Sequence, residues 1–127
     1  MEQCPLCDQV GETINHLLST CVFARQFWHE LFSRYGLQEL APQADDLVFY
    51  NWWQQADNRV HTSIQKGFNT LVVLGAWSIW KTRNDVVFNQ VAPRIDRALL
   101  LAREEAELWS FAGAKGLNAL VVTGLPD

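Results

Sequence analysis

Apolar residues recur at intervals of three and four from Ala24 to Tyr35: Ala24, Phe27, Trp28, Leu31, Phe32 and Tyr35 form one line, while Arg25, Gln26, Glu30 and Arg34 fill the other side. This beat predicts an amphipathic helix over about Val22 to Tyr35, with Gly36 placed as a left-handed terminator. A second helix is expected from Thr62 or Ser63 to about Asn84, on the spacing of Ile64, Phe68, Leu71, Leu74 or Gly75, and Ile79. Its second half is apolar almost all round, which suits a helix at the middle of a bundle, and Gly75 allows a neighbour to approach closely. A third helix starts near Pro93, whose backbone angle fits a first turn, and runs to about Ala112. Ile95, Leu99, Ala102, Ala106 and Trp109 mark its inward stripe, Arg103 and Glu107 are spaced for an exposed ion pair, and Gly113 and Gly116 stop it.

The segments between are less periodic. Leu37 to Asp46, with Pro42 and an acidic pair, reads as a surface connection. Leu47 to Trp53 is apolar and rich in strand-favouring residues, and its length leaves an edge strand and a buried helical turn both open. In an extended segment Trp52 and Trp53 cannot face the same core, which would leave one of them for a partner. Pro5 and Gly11 supply turns near the amino end, and a short helical turn carrying His16 can start at Ile14, capped by Thr13. The fold expected is mostly α. A small amino-terminal knuckle, residues 1–21, packs on a three- to four-helix domain, residues 22–112, and a tail, residues 113–127, is disordered or a loose strand.

Composition narrows the class. With 127 residues, 49% of them hydrophobic and 19% charged, the chain can build one core but not two. Its longest apolar run, Leu71 to Trp80, covers about half of the roughly 20 residues of a bilayer crossing, so no membrane partner is expected. An odd number of cysteines and no apolar leader point to a reducing, intracellular compartment, nucleus or cytoplasm. The formal charge of −4 and pI near 5.3 do not announce the basic face on which nucleic-acid affinity usually rests. Six tryptophans and seven phenylalanines exceed what a core of this size needs and suggest a partner surface as well.

The chemistry concentrates at the front, where Cys4, Cys7, His16 and Cys21 follow the spacing C-x2-C-x8-H-x4-C and use every cysteine in the chain. Two thiols in a tight knuckle, a histidine and a third cysteine complete the tetrahedron of one structural Zn(II) ion. The alternative makes the cysteines small buried apolar residues and His16 incidental. Four protein ligands leave no open position, so the expected role is structural, without catalysis or a small-molecule substrate. Glu12 is either an acceptor for the free imidazole N–H of His16 or an exposed carboxylate, and His29 is the one substitute ligand. Asp45 and Asp46 read as exposed loop acids rather than a metal-holding pair. No oxyanion-hole or glycine-rich phosphate loop accompanies His16 and Cys21, which argues against a hydrolase.

These motifs have a recognisable order. Cys4-Pro-Leu-Cys7, then Glu12-Thr13-x-x-His16-Leu-Leu-x-x-Cys21, then Phe23-Ala24-x-x-x-Trp28, resembles the zinc-binding module at the carboxyl end of reverse transcriptases of plant non-LTR (LINE-type) retrotransposons. Ala76-Trp77-x-Ile79-Trp80-Lys81-x-Arg83-Asn84-x-x-x-Phe88 and Ala98 to Trp109 resemble the sequence that follows it there. The resemblance implies origin in a retroelement polyprotein, metal binding at Cys4, Cys7, His16 and Cys21, and a nucleic-acid or assembly role beside an adjoining reverse transcriptase domain. It implies no polymerase activity, because the clustered carboxylates of that reaction are missing. The zinc motif begins three residues after Met1, where the family has preceding protein, so a truncated or non-functional remnant is one expectation. Trp77 and Trp80, flanked by Lys81 and Arg83 with Arg94 and Arg97 nearby in sequence, can be read as a stacking surface for RNA or DNA. They can also be read as core residues beside a solvated helix end. An accessory module for nucleic-acid engagement and a protein interaction or assembly scaffold are the two functional expectations.

Overall fold

The computed structural model describes residues 3–111 of the chain. It contains four α-helices: α1 (Val22–Ser33), α2 (Phe49–Arg59), α3 (Gln65–Asn89) and α4 (Ile95–Phe111). A π-helical turn at His16–Thr20 precedes α1, and short 3-10 turns occupy Gln38–Leu40 and Thr62–Ile64. Among the described residues the one extended pairing is an isolated antiparallel bridge between Gln3 and Gly11. The protein is therefore mostly α, with a small knuckle set on a helical body. The expected tail, residues 113–127, and the helix end at Ala112 lie outside the described residues.

The apolar beat of α1 becomes the core. Ala24, Phe27, Trp28, Leu31 and Phe32 are all buried, and Trp28 is the hub: its ring lies 5.4 to 6.2 Å from Phe27, Phe32, Phe49 and Trp52. The indole N–H donates to the Leu18 carbonyl at 2.8 Å, which satisfies its one polar atom and fixes the ring. The helix ends as its sequence predicts. Gly36 has φ 72°, and the N–H groups of Leu37 and Gly36 reach the carbonyls of Phe32 and Ser33 at 2.9 and 3.3 Å, a Schellman closure.

Leu47 to Trp53 resolves against the strand. Helix α2 takes most of that segment and continues to Arg59, because tertiary packing outweighs the strand preference of its aromatic residues. Adjacent helical positions differ by about 100°, so both tryptophans find internal partners. Trp52 is buried and donates to the Leu40 carbonyl at 2.8 Å, while Trp53 donates to Asn69 Oδ1 at 2.7 Å. Neither is left over for a partner.

Helix α3 runs five residues past its expected end, to Asn89, and stops at Gln90 in a left-handed conformation, φ 56°. Phe68, Leu71, Val72, Leu74 and Ile79 are fully buried against the other helices. The covering is one-sided, however. Val73, Trp80, Val87 and Phe88 face solvent, contrary to a helix wrapped on several sides. Helix α4 packs along α3 and reaches α1, burying Ala98 and Ala102 with Ile95, Leu99, Ala106 and Trp109 half-buried. It starts at Ile95 rather than Pro93, since the Arg94 carbonyl accepts its first bond, from the Ala98 N–H at 3.1 Å. Arg103 and Glu107 are exposed, but they are not among the ion pairs of the described residues.

The contact between α1 and α3 depends on Gly75. A Cβ built there would stand 2.6 Å from Trp28 Cη2 and 3.2 Å from Leu31 Cδ2. Overpacking of this kind costs about 1–3 kcal/mol, against the roughly 1 kcal/mol that alanine gains over glycine inside a helix. Gly75→Ala should therefore lower stability by up to about 2 kcal/mol in denaturant unfolding, where helix propensity alone forecasts a gain.

Candidate metal centre

The amino-terminal turn folds around Cys4. The Asp8 N–H donates to the Cys4 carbonyl at 2.7 Å, the Cys4 N–H donates to the Val10 carbonyl at 2.8 Å, and Asp8 takes a left-handed φ of 56° to close the loop. Inside this knuckle the backbone N–H groups of Leu6 and Cys7 point at the Cys4 sulfur. The second half of the site repeats the device with a helix. Cys21 is the extended residue preceding α1, its carbonyl takes the Arg25 N–H at 2.9 Å, and the N–H groups of Phe23 and Ala24 are directed at its sulfur. Two buried sulfurs thus each meet a pair of backbone donors, an arrangement that favours thiolates.

The π-turn sets the other relation. Its defining bond, from the Cys21 N–H to the His16 carbonyl at 2.8 Å, spans five residues. In an α-helix residues five apart are offset by about 140°. The wider turn brings them closer to one azimuth, so His16 and Cys21 can address one point. Thr13 Oγ1 accepts the His16 N–H at 3.0 Å, which is the cap expected at that position.

All four side chains converge. The sulfurs of Cys4, Cys7 and Cys21 and a ring nitrogen of His16 lie within 4.8 Å of one another. The Cys4 and Cys21 sulfurs are 3.9 Å apart and Cys7 Sγ is 3.3 Å from His16 Nε2. A tetrahedral ion with bonds of about 2.3 Å to sulfur and 2.0–2.1 Å to nitrogen requires edges of about 3.8 and 3.5 Å respectively. The set fits one such ion. Cys4, Cys21 and His16 are buried and Cys7 is half-buried, so ordinary solvent does not complete the coordination.

Ionisation follows the same geometry. Burial raises the Cys4 thiol above its ordinary value and pushes Cys21 up to about 12, Cys7 adding to the rise of both while the Cys21 hydrogen bond opposes that of Cys4. A dication at the centre removes that penalty by giving the thiolates a charge to face. Burial holds the His16 imidazole below its ordinary value, against the opposing pull of the Glu12 carboxylate. The neutral ring is the ligating form. His16 Nδ1 is 3.0 Å from Thr20 Oγ1, and with the proton assigned there Nε2 keeps its lone pair for the metal.

Glu12 therefore does neither job expected of it. The acceptor beside His16 is Thr20, and Glu12 instead pairs in two-point fashion with Arg83, at 2.7 and 3.0 Å, both side chains being 19% exposed. Thr20, four residues beyond His16, was within reach of a motif reading, whereas no local signal joins Glu12 to a residue 71 positions away. His29 is exposed on α1 and outside the donor set. Asp45 is exposed, and Asp46 closes a turn by accepting the Gln43 N–H at 2.7 Å.

Of the four cations suggested for nucleic acid, two share a cleft and one is engaged elsewhere. Lys81 is exposed; Arg83 is committed to Glu12 and lies 5.3 Å over the Trp80 ring. Arg94 pairs with Asp96 at 2.7 Å, and with Arg97 it lines a cleft of about 390 Å³ between α3 and α4 that also holds Asp85 and Glu104. Trp77 is half-buried while Trp80 is 45% exposed, so the core reading fails for Trp80. Among the described residues no helix is long and apolar enough to cross a membrane. No protein-family model, curated protein or solved structure matches the chain.

The front segment divides energetically. Leu17, Leu18 and Ser19 are buried; the Ser19 hydroxyl is shared between the Asn15 and Asp46 carbonyls, and Asn15 Oδ1 accepts the Phe49 N–H at 3.0 Å. Residues 3–11 bury only Leu6 besides the ligand cysteines. Stripping the metal with a chelator should therefore expose amides of residues 3–11 to hydrogen exchange while Leu17 and Leu18 stay protected. Native mass spectrometry of protein purified without chelator should show one metal ion per chain, absent in Cys7→Ser. Thr20→Val, which removes the histidine's partner, should weaken metal binding about 10- to 100-fold in a competition titration.

The Arg83 guanidinium, hydrogen-bonded to Glu12, holds that carboxyl below its ordinary 4.5. A depressed carboxylate contributes stability that is present above the unfolded value and is lost as pH falls through the folded one. The stability difference between wild type and Glu12→Gln should accordingly be constant from neutral pH to about 5 and shrink below 4.5. Unfolding measured on both proteins across that range tests it.

Proposed function

We propose that this chain is a noncatalytic zinc module that works beside a reverse transcriptase of a non-LTR retroelement and helps it engage nucleic acid. The observation that carries the reading is the closed set of three thiols and one imidazole, within 4.8 Å of one another, seated on a helix whose own sequence continues the family-like pattern. Zinc is the ion that suits this donor set: thiolate-rich, tetrahedral and without a position for water. The metal's part is mechanical. It gathers a knuckle with little apolar surface and anchors it to α1, contributing folding free energy on the order of 10 kcal/mol in small zinc peptides.

Nucleic-acid contact would then fall to the exposed cations, Lys81, Arg94 and Arg97, rather than to Arg83, whose guanidinium fastens the knuckle to α3. With one to three phosphates neutralised, the affinity for labelled single-stranded RNA or DNA should fall with a log–log salt slope of about −1 to −3. Lys81→Gln should make that slope shallower by about one unit without loss of bound zinc. The titration is run on the zinc-loaded protein, alone and joined to its polymerase domain. No salt-sensitive binding in either form defeats the reading.

A further inference from the structure

Val22, Arg25, Gln26 and His29 stand at i, i+3, i+4 and i+7 of α1, a spacing that lines them along one face of the helix. That face meets Ala41, Pro42 and Gln43 across a groove of about 280 Å³. The far wall is a fixed loop: Ala41 and Pro42 are buried, the Gln43 side-chain amide donates to the Ala41 carbonyl at 3.1 Å, and the Asp46 N–H returns to the Gln43 carbonyl at 3.0 Å.

The cation of this groove is held in place. Arg25 Nε donates to the Thr20 carbonyl at 3.1 Å, which sets the plane of the guanidinium and leaves its two terminal amino groups without a partner among the described residues. Thr20 is also the hydroxyl partner of His16, so the residue that holds the imidazole of the metal centre holds the arginine as well. The exposed Gln26 and His29 add hydrogen-bonding groups, while Val22, 53% exposed, and Pro42 supply apolar walls. No carboxylate lines the groove. Glu30 of α1 and Asp45 and Asp46 of the loop stand outside its lining, and Asp46 already accepts the Gln43 N–H at 2.7 Å. The cleft between α3 and α4 differs in this respect, since Asp85 and Glu104 there offset Arg94 and Arg97.

We propose that the groove between α1 and the Ala41–Gln43 loop is a phosphate-binding site, in which Arg25 takes two phosphate oxygens through its terminal amino groups and Gln26 and His29 donate beside it. The inference rests on the nucleic-acid reading given above, which makes a backbone phosphate of a single strand the source and sets Val22 and Pro42 against the adjoining sugar. It adds one phosphate contact, next to the metal centre, to those of Lys81, Arg94 and Arg97.

Two-dimensional NMR of the zinc-loaded protein, titrated at constant ionic strength with inorganic phosphate and separately with acetate, tests the site. Phosphate should shift the amides of Val22, Arg25, Gln26, His29 and Gln43 with a dissociation constant on the order of 1 mM, and acetate should not. Gln26→Glu puts a carboxylate into the groove at an exposed position, and should weaken phosphate about fivefold with helicity and zinc content unchanged. Lys66→Gln, outside the groove, should leave it unaltered. Equal shifts with acetate, phosphate shifts that avoid the groove, or an affinity that Gln26→Glu leaves intact overturn the proposal. The oligonucleotide titration then identifies the source of the phosphate. A log–log salt slope shallower by about one unit in Arg25→Gln assigns it to the strand. Groove shifts with an unchanged slope, or with no oligonucleotide bound at all, keep the site and assign it to a small phosphate compound; the second of these defeats the accessory-module reading alone.

Discussion

Cys21 belongs to two structures at once, and the protein is organised around that overlap. Its sulfur is one corner of the donor set, and its carbonyl accepts the first hydrogen bond of α1. Seven residues further along the same helix stands Trp28, the centre of the aromatic core. A metal ion at the site is therefore joined through two turns of rigid helix to the best-packed part of the molecule. Helix α1 also aims its free N–H groups at the Cys21 sulfur, so the scaffold that positions the ligand stabilises its ionised form.

The knuckle has a second attachment of a different kind. Glu12 and Arg83 form a partly buried, two-point ion pair between the front segment and the far half of α3. Partly buried pairs contribute modestly, because desolvation offsets much of the attraction. A metal held by the four donors would supply strength, and the ion pair supplies direction. Between the two attachments the π-turn and its buried leucines are already part of the core, so the order of residues 3–11 rests chiefly on their two cysteine ligands.

Helix α3 shows how much a run of apolar residues leaves undecided. Its core side accepts α1 at Gly75, where the indole of Trp28 occupies the space that a side chain would need. Its other side repeats apolar residues with the same helical regularity and leaves Val73, Trp80, Val87 and Phe88 exposed.

Much of this was legible in the residues alone. The three long helices, the Gly36 closure, the close approach at Gly75 and the convergence of the four candidate ligands follow from local spacing, since helical periodicity and a cysteine knuckle are properties of neighbours in the chain. What escaped was set by residues distant in sequence. Leu47 to Trp53 became helical because Trp52 and Trp53 found partners at Leu40 and Asn69. Glu12 turned from His16 to Arg83, and the apolar girth of α3 was covered on one side only. Periodicity says that a face is apolar; which neighbour covers it, and which charge meets which, depends on how the helices stack, and that arrangement exists only in three dimensions.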